Sequence, residues 1–185
     1  MSKPKICKIK KSLIGTKVPH RESGRTGQFI EDAHAKLGMP VQPNEGPDYP
    51  EFDLEMKSKS KESKSAYSIG TMSRYKIVNT PYSQSPIKRK LQQHYHVYHK
   101  DETITDQITY DFRADDIQEE LERAYETARQ KIINGDSGYV SGTMFGYFEE
   151  RSDSPDNYQF RISVKGMEAL KNLENPKFRE FFEFV

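Results

Sequence analysis

The chain has 185 residues, 34% of them hydrophobic and 31% charged, and a formal charge of only +1, which fits one domain or one domain with a small appendage. Mean hydropathy is −0.92; no apolar run approaches the roughly 20 residues of a membrane-spanning helix, and a single cysteine excludes a disulfide framework or a thiolate metal site. The near-neutral total hides two unlike halves: residues 1–100 carry 19 Lys+Arg against 9 Asp+Glu, or +10, and residues 101–185 carry 10 against 19, or −9, the pattern of a basic working surface on an acidic remainder.

Residues 1–12 form a basic tail with Lys3, Lys5, Lys8, Lys10 and Lys11. It lacks the apolar stretch of a signal peptide, so a cytoplasmic location is expected. Residues 13–185 are expected to form a single mixed α/β domain. Thr26–Leu37 reads as a helix with Phe29, Ile30, Ala33 and Leu37 on one face. After a Pro- and Gly-containing connector, Glu51–Ser58 alternates. Phe52, Leu54 and Met56 point one way and Asp53, Glu55 and Lys57 the other, the period of a strand with one buried face. Lys57–Lys64 is a basic low-complexity hairpin or loop. Tyr67–Val78, Gln93–His99, Val140–Phe148 and Tyr158–Val164 are further strand candidates. Asp115–Asn134 is the clearest helix, striped by Ile117, Leu121, Ala124, Tyr125, Ala128 and Ile132. Gly166 to the end reads as a helix broken at Pro176, with Phe178, Phe181 and Phe182 on its apolar face.

The chemistry concentrates in Pro47-Asp48-Tyr49-Pro50-Glu51-Phe52-Asp53-Leu54-Glu55-Met56-Lys57. Glu55 and Lys57 leave the same strand face, and Asp48, in a Pro-flanked turn, can bend back toward them. Asp48 and Glu55 offer the hard oxygen ligands of Mg²⁺. Lys57 can orient or deprotonate a water, or stabilise charge on a phosphate, and Glu31 can add a third carboxylate. This combination suits phosphodiester hydrolysis. Spacing alone leaves an ordinary amphipathic edge strand equally open, and alternation would serve Asp53 as well as Asp48.

The flanking residues narrow the reading. Gly24-Arg25-Thr26-Gly27-Gln28-Phe29-Ile30-Glu31 resembles the Gly-x-x-Gly-x-x-x-Glu helix of the MutH family of PD-(D/E)xK endonucleases, and residues 48–57 are similar, without a gap, to its Asp-Phe-x-x-Leu-Gly-Val-Glu-Leu-Lys segment. Ser85-Pro86-Ile87-Lys88-Arg89-Lys90-Leu91 resembles its Ser-x-Val-Arg-His-Lys-Leu segment. The resemblance implies a restriction-endonuclease-like core, with a central mixed sheet flanked by helices. It gives Asp48, Glu55, Lys57, Glu31 and Lys90 the active-site places, puts Mg²⁺ on Asp48 and Glu55, and sets Asp53 where the family often has glycine. Phe160-Arg161-Ile162-Ser163-Val164-Lys165 weakly resembles the base-reading Ile-Arg-Pro-Lys loop; Arg161 keeps its place, but Ser163 stands where the lysine should be and Lys165 lies two further on.

Lys59, Lys61, Lys88 and Arg89, with Lys64, Arg74 and Lys76, are expected to face DNA phosphates. His94-x-His96-x-x-His99 puts only two histidines on one strand face; a tyrosine-rich face or a DNA contact is favoured over zinc. The expected activity is Mg²⁺-dependent, sequence-specific cleavage of double-stranded DNA by a restriction-type enzyme, as a homodimer on DNA if both strands of a palindrome are cut. The alternatives are a strand-nicking mismatch-repair endonuclease and a non-catalytic DNA-binding protein.

Overall fold

The structure is a computed structural model that describes residues 13–18, 25–36 and 46–172. The lysine tail, the connector at 37–45 and the phenylalanine-rich segment at 173–185 lie outside the described residues. The fold is mixed α/β, in the order α1 (Arg25–Lys36), β1 (Leu54–Ser60), β2 (Tyr67–Ser73), α2 (Arg74–Asn79), α3 (Pro86–Lys90), β3 (Gln93–Lys100), β4 (Thr103–Asp111), α4 (Asp115–Ile133), β5 (Tyr139–Ser141), β6 (Gly146–Arg151), β7 (Ser154–Ile162) and α5 (Val164–Asn172).

The strands divide between two sheets. A three-stranded sheet runs β1-β3-β4, and a four-stranded sheet runs β2-β7-β6-β5. β1 and β3 are parallel, with Glu55 beside His94 and Lys57 beside His96. The remaining pairs are antiparallel. A parallel strand is covered on both faces, and β1 obeys: Leu54, Glu55 and Met56 are all buried in succession. One face of the small sheet, through Leu54, Met56, Tyr95 and Val97, packs on Ile30, Tyr49, Leu13 and Val18. Residues 13–18 run along the start of β4, where Gly15 N–H donates to the Ile104 carbonyl and Ile104 N–H to that of Thr16.

The larger core lies on the four-stranded sheet. Every residue of the predicted α4 stripe is buried there, against Ile69, Met72, Val140, Phe148, Phe160 and Ile162. Asp115 and Asp116 sit in the first turn of α4 and Lys131 in the last, matching the helix dipole.

Two predicted strands break, and one strand is added. Tyr67–Val78 is not one strand, because the Ser73 hydroxyl accepts the Lys76 N–H and caps α2. Val140–Phe148 breaks into β5 and β6 around residues 142–145, where Gly142 carries no side chain because a Cβ there would stand 1.9 Å from the Ala124 carbonyl oxygen. β4 is an addition. Its Ile108 and Tyr110 pack on the large core and Ile104 on the small one, because a bulge opposite Tyr98 and His99 reverses the faces between them.

Candidate active site

A tight loop brings Asp48 to Glu55. Tyr49 N–H donates to the Leu54 carbonyl and Leu54 N–H to that of Tyr49, closing a single 3₁₀ turn at Pro50–Phe52. Pro50 opens that turn with its preset φ, and Tyr49, fully buried, anchors it. Asp53 ends it in the left-handed region (φ 51°). The position where MutH-like sequences often have glycine is thus one whose backbone favours glycine. Asp53 is exposed and lies outside the carboxylate group, whereas Asp48 joins it. Asp48 N–H donates to Glu55 Oε2 at 3.2 Å, and Asp48 Oδ2 accepts Met56 N–H at 2.8 Å.

Glu55 is 1% exposed, and two lysines converge on it. Lys57 Nζ lies 2.5 Å and Lys90 Nζ 3.0 Å from Oε1, with Lys90 also 3.3 Å from Oε2. A buried carboxylate needs such partners, since an uncompensated charge costs several kcal/mol, about 3–5 when one partner is removed. Lys90 arrives from the last turn of α3, which the Ser85 hydroxyl caps by accepting Lys88 N–H. Its aliphatic stem crosses β2 at Gly70, where a Cβ would stand 3.4 Å from Lys90 Cδ and 3.1 Å from Ile87 Cδ1.

Burial and the neighbouring Glu55 charge hold the Asp48 carboxyl above the usual carboxylate range, against the Met56 hydrogen bond and the two lysines. Glu31, half-buried on α1, is raised by burial, then by the charges of Asp48 and Asp32, while Lys57 opposes. Asp48, Glu55, Lys57, Lys90 and Glu31 therefore share one electrostatic neighbourhood. The alternation reading holds for Glu55 and Lys57 but places them in a buried, lysine-covered face instead of a solvated one.

Beneath the lysines lie two histidines, both fully buried. His94 Nε2 donates to the Lys90 carbonyl at 2.9 Å, so its Nδ1 is left to accept from His96 Nε2 at 3.3 Å. Burial first, and the charge of Lys57 next, push His94 down to about 3, so it is neutral. The rings pack edge-on against Phe112 and Tyr110. Of the two readings favoured for this pair, the aromatic face is the observed one; full burial removes a DNA contact. Among the described residues no group of three or more His, Cys, Asp or Glu is arranged to hold a metal ion.

The expected DNA-facing residues are dispersed. Lys88 and Arg89 line a cleft with Pro47, Asp53 and Gln92, next to Asp48. Lys59 donates to the Ser65 carbonyl and lies 3.6 Å from the Tyr67 ring centroid, and Lys61 is exposed in the following turn. Arg74 is a correction: it faces inward, bonding the Ile132 carbonyl at 3.0 Å and the Tyr158 hydroxyl at 3.4 Å, where it satisfies the C-terminus of α4. Arg161 lies in β7, 2.7 Å from Glu149, and Lys165 is exposed in the first turn of α5. Ser163 takes a structural part, since its hydroxyl donates to the Met144 carbonyl and accepts Gly166 N–H. The segment resembling a base-reading loop is here a strand end and a helix start.

No family model matches the chain and no curated protein matches it, so the MutH-like resemblance rests on the segments quoted above. Among solved structures, the chain is similar to the restriction endonuclease MvaI in complex with its cognate DNA substrate, at 10% identity over 91% of this chain and 96% of that chain, with a TM-score of 0.49. No helix among the described residues is long and apolar enough to cross a membrane.

Proposed function

We propose that the protein is a Mg²⁺-dependent, site-specific endonuclease of double-stranded DNA, of restriction type. The observation that carries the reading is the convergence of Asp48, Lys57 and Lys90 on one buried carboxylate, Glu55. A structural ion pair needs one cation; two lysines plus a second carboxylate with a raised pKa describe a site awaiting further charges of both signs.

Asp48 and Glu55 would supply the hard oxygen ligands of a divalent cation, and Glu31, which shares the electrostatic field of Asp48 and Lys57, would act on it from further out, through water. Mg²⁺ held there would neutralise charge at the scissile phosphate and acidify the attacking water. Lys57, 26% exposed at the side chain, would orient that water or take its proton, and Lys90 would stabilise the pentacovalent phosphate. Lys88 and Arg89 in the adjoining cleft, with Lys59 and Lys61, would contact flanking phosphates, and Arg161 and Lys165 base edges. Cutting both strands of a palindrome would require a homodimer on DNA.

The test is incubation of the purified protein with supercoiled plasmid and Mg²⁺. Discrete linear fragments, reduced about 10²- to 10⁴-fold in rate by Lys57→Ala, are the expected result. Open circles alone would make it a nickase, and no cutting of methylated or unmethylated plasmid would leave a binding protein.

A further inference from the structure

Of the three residues described as bonding the Glu55 carboxylate, Asp48, Lys57 and Lys90, only Lys90 is carried by neither β1 nor its leading loop. It sits at the end of a five-residue helix, α3, too short to fix its own last turn. Something else must set where its ammonium falls. The backbone of Leu91 is tied to the Ile87 and Lys88 carbonyls, but the Lys90 carbonyl receives its bond from a side chain, the Nε2–H of His94 at 2.9 Å. His94 is the β3 residue directly beside Glu55 in the parallel register. A closed circuit results: Glu55 to Lys90 Nζ, the Lys90 main chain to His94, and His94 across one strand spacing back to Glu55. The imidazole cannot rotate out of it. Phe112 packs edge-on at 4.9 Å, and His96 occupies Nδ1. On the other side the stem of Lys90 passes Gly70 of β2 at contact distance, its Cδ 3.4 Å from where a Cβ would stand.

We propose that His94 is a positioning residue that fixes Lys90 against Glu55 by holding the Lys90 carbonyl, and that it touches neither DNA nor metal. The kinetic consequence rests on the nuclease reading; the geometric one does not. Two measurements separate them. The first is the acetylation rate of Lys90 by an N-hydroxysuccinimide ester, read by mass spectrometry on the intact folded chain. Lys90, 19% exposed and paired, should label slowly in the native protein and in His94→Gln, whose amide can still donate to the carbonyl. It should label several-fold faster in His94→Leu and in His94→Asn, whose amide is too short to reach. Should the leucine variant not fold, the Gln–Asn contrast decides alone. Equal labelling across these variants overturns the proposal.

The second measurement is cleavage. His94→Leu should lower kcat roughly 10- to 100-fold with KM unchanged, the scale expected for a displaced reacting group. His94→Gln should recover most of it. In a Lys90→Ala background His94→Leu should cost nothing further in kcat; an undiminished loss there would mean that His94 does not act through Lys90. If the native protein cuts no DNA, the nuclease reading falls while the labelling result still decides whether His94 places Lys90.

Discussion

The two sheets solve burial differently. In the four-stranded sheet the inward residues are Ile69, Met72, Val140, Phe148, Tyr158, Phe160 and Ile162, all covered by α4 and its surroundings. In the three-stranded sheet, β1 and β3 bury Glu55, His94 and His96; the only other buried polar residue among those described is Ser85, which caps α3. Charged groups around the large core serve the backbone: Arg129 donates to the Ile77 and Val78 carbonyls, Glu126 accepts Tyr82 N–H and Lys131 donates to the Ser141 carbonyl. Around Glu55 of the small sheet two lysines pair with the carboxylate itself. Apolar burial is therefore concentrated in one region and buried charge in the other, and the small sheet gives up apolar burial to hold charge.

The largest effect should come from striking the apolar region. Phe148 is fully buried, with Tyr125 and Phe160 rings 5.3 and 5.1 Å away. Phe148→Ala should cost about 3–5 kcal/mol, measured by urea unfolding, and should abolish cleavage only by unfolding the chain. Asp48→Asn should show the opposite sign. The Asp48 pKa is raised, so its contribution to stability is present at low pH and lost as pH rises through the folded-state value. In EDTA, Asp48→Asn should become increasingly stable relative to the native protein as pH rises from 3 toward neutrality, while losing activity in Mg²⁺. A variant that is less stable at neutral pH would mean that Asp48 is structural. The smallest effect tests the boundary between the regions: Ser163→Ala should cost about 1 kcal/mol through the lost α5 cap, read as a lower Tm, with the cleavage pattern unchanged. A changed pattern would mean that Ser163 also takes part in base recognition.

The sequence made legible whatever depends on near neighbours. The α4 stripe was readable because each of its residues meets the core within one helix, and Glu55 and Lys57 because strand period places them together. The bend that returns Asp48 was readable from Pro47 and Pro50; the left-handed backbone at Asp53 was not, although MutH-like segments often carry glycine at that position. Hidden were features set by register between distant segments. Nothing local marks His94 as the neighbour of Glu55, or Gly70 as the groove for the Lys90 stem. Arg74 reads as a surface cation until the end of α4, 58 residues later, arrives beside it. β4 was obscured because the bulge facing Tyr98 and His99 sends Ile104 to one face and Ile108 and Tyr110 to the other.

On the proposed reading, Glu55 is buried for chemistry and not for folding. Glu55→Ala, assayed for plasmid cleavage in Mg²⁺ and for DNA retention in Ca²⁺, tests it most directly. The account predicts cleavage reduced at least about 10²-fold with DNA retention largely intact. Cleavage at the native rate by a folded Glu55→Ala protein would contradict it.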